Sequence, residues 1–249
     1  MRKASDFLDA MDEVLSRARD AGVLFRTLED AQIDGRTITL GGRPLVNFGS
    51  CSYLGLEMDE RLKQGAIEAV QRYGTQFSSS RGYMALPLYE ELESLFADIF
   101  GMPTLVAPTT TLAHASALPI LIGEDDAVLM DQQVHHSVQQ GVNHVRVQGV
   151  PVEIVRHNRM DLLEARVAEI SKKHRKIWYL ADGVYSMYGD LVPMKALHEL
   201  MQRHEKLHLY IDDAHGMSWH GDRGQGYALD QIPHHPRLIV VTSLAKAFG

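Results

Sequence analysis

From Thr104 onward the chain alternates short apolar, β-branched runs with stretches of helical periodicity, and few folds accept that rhythm. The runs are Thr104 to Ala107, Ala127 to Met130, Val152 to Val155, Ile177 to Ala181, Leu207 to Ile211 and Leu238 to Val241. Between them lie the helical segments Thr111 to Ile122, His135 to Val142, Leu162 to Lys172 and Met194 to His204. Strands that are apolar throughout belong in a parallel sheet covered on both faces, and each crossover supplies a covering helix. The fold class that follows is α/β, a mostly parallel sheet with helices on both faces. No repeat or linker divides this block.

The earlier part reads differently. Ser5 to Ala21 has one apolar stripe (Phe7, Leu8, Met11, Val14, Leu15), with Ser5 as the expected N-cap and Gly22 ending the helix. Arg36 to Asn47 alternates about Gly41-Gly42 and predicts a hairpin. A helix follows from about Asp59 to Tyr73, then a hydroxyl-rich loop, Gly74 to Gly82, with Arg81 in it. Pro87 and Gly101 bracket another helix, expected to turn Leu88, Leu92, Leu95, Phe96 and Ile99 inward. The division expected is an arm, helix and hairpin over 1–45 and one large domain over 46–249.

Composition removes several function classes. With 249 residues, a net charge of −7 and 45% apolar residues, the chain has no basic surplus to favour nucleic acid or anionic lipid. No apolar run approaches the roughly 18 residues of a membrane span. The start lacks the apolar core of a secretory signal. A single cysteine, Cys51, forms no internal disulfide, and a reducing cytoplasm is the expected compartment. Histidine pairs such as His204/His208 and His234/His235 come without a third ligand at a recognised spacing, so no metal site is expected.

Polar residues crowd the carboxyl ends of the predicted strands, where open α/β sheets bind ligands. Leu207 to Ile211 leads into Asp212-Asp213-Ala214-His215-Gly216, and Leu238 to Val241 into Thr242-Ser243-Leu244-Ala245-Lys246. Thr110 and Thr111 open a helix whose N-terminal N–H groups suit a phosphate. Asp131 with His135, and Asp182 with Ser186, follow two more strands. A lysine beside a carboxylate and an imidazole suits a Schiff base to pyridoxal 5'-phosphate, in which a protein carboxylate keeps the pyridine nitrogen protonated. Taken alone, the same pattern also fits a solvated loop lysine and a helix-capping aspartate.

As a set, these motifs resemble the α-oxoamine synthases, within the fold-type I pyridoxal phosphate-dependent transferases. The resemblance runs from about Asn47 to Gly249. It implies that Lys246, in Ser-Leu-Ala-Lys-Ala-Phe-Gly, carries the cofactor, that Asp212 pairs with the pyridinium and that His215 donates to the phenolic oxygen. It implies further that His135 stacks on the ring, that Ser186 in Gly-Val-Tyr-Ser-Met-Tyr-Gly-Asp lies near the phenolic oxygen, and that Thr110, Thr111 and Ser243 hold the phosphate. Catalysis then rests on Lys246, His135 and Asp212. The activity implied is condensation of a small amino acid with an acyl thioester, on coenzyme A or acyl carrier protein, usually with decarboxylation, to give an α-amino ketone. The implied assembly is a homodimer with shared active sites, into which the loop Ser78 to Arg81 reaches. Cys51, Tyr89, Asp182 and Thr109 to Thr111 stand where the family usually has other residues, near the amino-acid and thioester contacts. Family members continue past the lysine into a small C-terminal domain that this chain, ending at Gly249, is expected to lack. The alternatives are another fold-type I enzyme, an aminotransferase or lyase, and a non-catalytic partner of a complete homologue.

Overall fold

The computed structural model describes residues 4–78 and 80–249. Among the described residues seven strands and eight α-helices run in the order α1 (Ala4–Asp20), β1 (Thr37–Leu40), β2 (Arg43–Val46), α2 (Glu60–Tyr73), α3 (Pro87–Phe100), α4 (Thr110–Leu121), β3 (Ala127–Asp131), α5 (His136–Val147), β4 (Val152–Val155), α6 (Met160–Ile170), β5 (Ile177–Asp182), α7 (Met194–Arg203), β6 (Leu207–Asp212), α8 (Tyr227–Gln231) and β7 (Leu238–Val241).

The last five strands form one sheet, order β4-β3-β5-β6-β7, with every neighbouring pair parallel. Side chains alternate between its faces, as the two-residue period of a strand requires. Val128, Met130, Trp178, Leu180 and Tyr210 pack with Leu118, Val138 and Val142 under α4 and α5. Leu129, Ile177, Tyr179, Leu209 and Ile211 pack with Leu163, Val167, Leu197 and Leu200 under α6 and α7. Most of these side chains are fully buried, each worth about 1.5–3 kcal/mol by removal from water. Gly141 lets α5 close on α4: a Cβ there would lie 2.8 Å from Leu118 Cδ1 and 2.9 Å from the His114 carbonyl oxygen.

The hairpin forms as expected, β1 and β2 pairing antiparallel across Gly41 and Gly42 at φ 61 and 69. Two consecutive positive φ values define the type I′ turn that glycine accepts without strain. Asp59 caps α2 through Arg61 N–H at 2.9 Å. Helix α1 already includes Ser5, which therefore lies within it instead of capping it.

Two expectations are corrected. Thr104 to Ala107 is no strand: Val106 N–H donates to Glu93 Oε1 at 2.8 Å, Arg81 donates to the Val106 carbonyl at 3.1 Å, and Leu105 is exposed. An ion-paired arginine and glutamate thus occupy the backbone groups a neighbouring strand would need. In α3 only Phe96 is buried, while Leu88 and Leu95 face outward because no described element covers that side. Helix α1 likewise leaves Phe7, Leu8 and Val14 uncovered.

Candidate active site

Asp182 and Asp212 end β5 and β6 in direct register, and Val241 stands opposite Asp212 on β7. Two carboxylates on adjacent strand tips cannot both ionise cheaply. They divide the charge. Burial raises Asp182, the negative Asp212 raises it further, and the His135 N–H at 3.0 Å only partly offsets this, so Asp182 is pushed up to about 8. Burial also works against charge on Asp212. The hydrogen bond of His114 at 2.9 Å, the Ala214 N–H at 3.1 Å and Lys246 outweigh it and hold Asp212 below its ordinary value. The pair therefore carries one negative charge near neutrality, on Asp212.

Lys246 lies in the turn after β7, half-buried. Desolvation lowers its pKa, opposed by Asp212, Cys51 and Asp182. His215, two residues beyond the Asp212-Asp213 pair, is pushed down to about 4, by burial first and then by Lys246 and His135 against the pull of Asp212. Its Nδ1 meets the Tyr53 hydroxyl at 2.5 Å, which ties the Asn47 to Leu56 loop to the sheet. Lys246, Asp212, Asp182 and His215 are thus gathered closely enough to act on one another's protonation, and His135 acts on Asp182 and His215.

His135 caps α5, its Nδ1 accepting from Ser137 N–H at 3.3 Å and from Ser137 Oγ at 2.6 Å. A nitrogen that accepts a backbone N–H carries no proton, so the proton sits on Nε2. With Asp182, Tyr185 and Ser186 this histidine lines a cavity of about 300 Å³. Ser186 is exposed in the turn after β5. Thr110 and Thr111 form the first turn of α4, behind the Thr109 N-cap that accepts from Leu112 N–H at 3.1 Å. Ser243 Oγ accepts from Ala245 N–H at 3.2 Å, which closes the turn toward Lys246.

Four strand tips supply this region, and the fifth approach, expected from a strand at 104–107, is an irregular segment feeding α4. In the hydroxyl-rich loop, Arg81 is committed to Glu93 at 2.7 and 2.8 Å and covers the Tyr89 ring, while Ser79 lies outside the described residues. Asp213 explains three glycines of the motifs. A Cβ on Gly183, Gly216 or Gly226 would lie 2.1, 2.2 or 2.5 Å from one of its carboxyl oxygens. Burial pushes that carboxyl up to about 7.

Sequence reasoning missed His114 and Tyr210. His114, fully buried on α4, meets Asp212 Oδ2 at 2.9 Å and the Tyr210 hydroxyl at 2.8 Å. The available signal was Tyr210, which precedes Asp212 by two positions and so shares its face of β6.

The chain is similar to known proteins in sequence and in fold. The family model for aminotransferase class I and II matches residues 43–249. An 8-amino-7-oxononanoate synthase of Petrotoga mobilis is 32% identical over 249 residues, covering 98% of this chain and 62% of that protein. One from Fervidobacterium nodosum is 35% identical over 230 residues, covering 90% of this chain and 56% of that protein. A serine palmitoyltransferase from S. paucimobilis, solved with bound PLP and myriocin, superposes with a TM-score of 0.86 at 23% identity, over 100% of this chain and 62% of that one. The chain thus spans about three-fifths of the length of the curated relatives it matches.

Proposed function

The chain belongs to the aminotransferase class I and II family, and from that premise we propose that it is the cofactor-binding part of a pyridoxal 5'-phosphate-dependent acyltransferase of the α-oxoamine synthase type. The observation that carries this reading is the convergence of an amine with depressed basicity, one full carboxylate, the lowered imidazole of His215 and the α5-capping His135 at the carboxyl edge of the sheet.

That donor set fits the cofactor group by group. Lys246 would hold its aldehyde carbon, Asp212 its ring nitrogen, His215 and Ser186 its phenolic oxygen, and His135 one face of its ring. The free N–H groups of Thr110 and Thr111, with the Ser243 hydroxyl, would hold its phosphate. When bound, the cofactor supplies an electron sink for the pair left on the α-carbon of an amino acid.

The remaining work falls to the chain's own groups. Lys246, lowered by burial, takes the α-proton as a general base and later returns one. Asp212, kept charged by its hydrogen bonds, holds the proton on the ring nitrogen. His135 Nε2–H points away from its capping bonds and orients the acyl thioester carbonyl. Asp182, mostly protonated at neutral pH, leaves the mouth without a second negative charge to repel a substrate carboxylate.

The substrates proposed are a small amino acid and an acyl-CoA or acyl carrier protein thioester, and the product an α-amino ketone. Aminotransferase or lyase chemistry shares Lys246 and Asp212, but the His135 frame favours acyl transfer. The working assembly proposed is a cytoplasmic homodimer, an arm over 1–45 preceding the large domain. The uncovered apolar faces of α1 and α3 support an interface between copies. Among the described residues no helix is long and apolar enough to cross a membrane.

The test is release of free thiol. A protein containing this chain, supplied with pyridoxal phosphate, a small amino acid and a series of acyl-CoA thioesters, releases coenzyme A only when both substrates are present. Amino-group exchange with a keto acid, without thiol release, overturns the reading in favour of an aminotransferase.

A further inference from the structure

Behind Asp212, away from the mouth of the site, three side chains make a continuous hydrogen-bonded line. The Tyr210 oxygen is 2.8 Å from His114 Nδ1, and His114 Nε2 is 2.9 Å from Asp212 Oδ2. Tyr210 and His114 are fully buried, and Asp212 is 6% exposed, so water does not compete along the line. The backbone around it is constrained: Gly141 admits α5 to within contact of the His114 carbonyl, which leaves α4 no room to slide.

Counting donors fixes the protons. A phenol has one O–H, and when buried it must place it. Tyr210 oxygen has no partner but His114 Nδ1 among the described residues. Burial and the nearby Asp212 charge raise the phenol's pKa, so it keeps its proton. The O–H therefore donates to Nδ1, Nδ1 is bare, and Nε2–H donates to Asp212. The imidazole is neutral, in a single tautomer. A neutral donor stabilises the carboxylate without neutralising it, whereas an imidazolium partner would make a buried ion pair with no net charge left for a ligand.

We infer that Tyr210 and His114 are positioning residues, fixing one imidazole tautomer so that Asp212 is presented in one orientation, as a full anion, to the ring nitrogen it holds. This rests on the function proposed above only in its last step. The tautomer belongs to the ligand-free protein. Tyr210 and His114 are fully buried and reach the site only through Asp212.

The test uses nitrogen-15 NMR of the chain labelled in histidine, with His114 assigned by its loss in His114→Gln. In the unsubstituted protein the His114 pattern is Nε2–H with bare Nδ1. In Tyr210→Phe the single-tautomer pattern gives way to a mixture, and affinity for pyridoxal 5'-phosphate, read by quenching of tryptophan fluorescence, falls about tenfold. His114→Gln, whose amide keeps one donor and one acceptor but does not titrate, stays within about threefold of the original affinity. A His114 doubly protonated, or protonated on Nδ1, in the unsubstituted protein overturns the inference. So does Tyr210→Phe with both the pattern and the affinity unchanged. If the unsubstituted chain binds no pyridoxal phosphate, the proposed function fails, and the ligand-free His114 pattern still decides the relay.

Discussion

Replacing Asp182 with asparagine removes the second carboxyl from a site that holds only one negative charge. Asparagine has nearly the same volume, and its carbonyl still accepts the His135 N–H that Asp182 accepts at 3.0 Å. What it cannot do is ionise. The carboxyl moves from an ordinary value of 3.8 to about 8 on folding, so the fold favours its protonated form. The sign follows by linkage: its contribution to stability is full below 3.8, drains as pH rises, and is gone above about 8. At about 1.4 kcal/mol per pKa unit the whole effect is bounded near 6 kcal/mol. With solvent access to the mouth, about 2–4 kcal/mol is expected between pH 5 and pH 8.5. A chain of this size moves by about 2–4 °C per kcal/mol. Ligand-free Asp182→Asn therefore melts about 2–5 °C above the original at pH 5, and the gap widens by roughly 5–15 °C at pH 8.5, by circular dichroism. Parallel melting curves across that range would refute the claim that the two strand tips share one charge.

Three further outcomes follow from the same geometry. Asp212→Asn leaves the lysine able to carry the cofactor but lowers turnover roughly a hundredfold or more, measured with saturating cofactor, and near-normal turnover counts against its role. Gly183→Ala puts a Cβ 2.1 Å from Asp213 Oδ1. The displaced carboxyl costs about 1–3 kcal/mol in a denaturant titration, and an unchanged midpoint contradicts the packing. His215 titrates near 4 by proton NMR of its ring, so the stability lost on charging it opens as pH falls below 6.5 and is complete by about 4. A ring titrating at 6.5 would show the residue to be solvated and free of Lys246.

Much of the fold was legible because the sheet is buried on both faces. Ala127 to Met130 and Ile177 to Ala181 are apolar runs with nowhere else to go, and the structure makes strands of both, buried throughout and each one residue longer, to Asp131 and Asp182. Thr104 to Ala107 has the same composition yet forms no strand, because Glu93 and Arg81 take its backbone groups from elsewhere in the chain. That competition leaves no local trace. The acid and base ends of the site were legible for the same reason as the strands, since polar residues directly after an apolar run must surface at the sheet's edge. His114 was not, because it sits inside a mostly apolar helix whose periodicity it does not break, and only the register of α4 against β6 turns it onto Asp212. The three glycines around Asp213 carry no local sign of what excludes a side chain there. Their reason is a buried carboxyl that excludes any Cβ.

The account depends on Lys246 being the amine that carries the cofactor. Incubation with pyridoxal 5'-phosphate, reduction with borohydride and peptide mapping measure this directly. The predicted result is one modified peptide, bearing the label on Lys246 and lost in Lys246→Ala. Label on any other lysine, or undiminished label in that variant, would contradict the account.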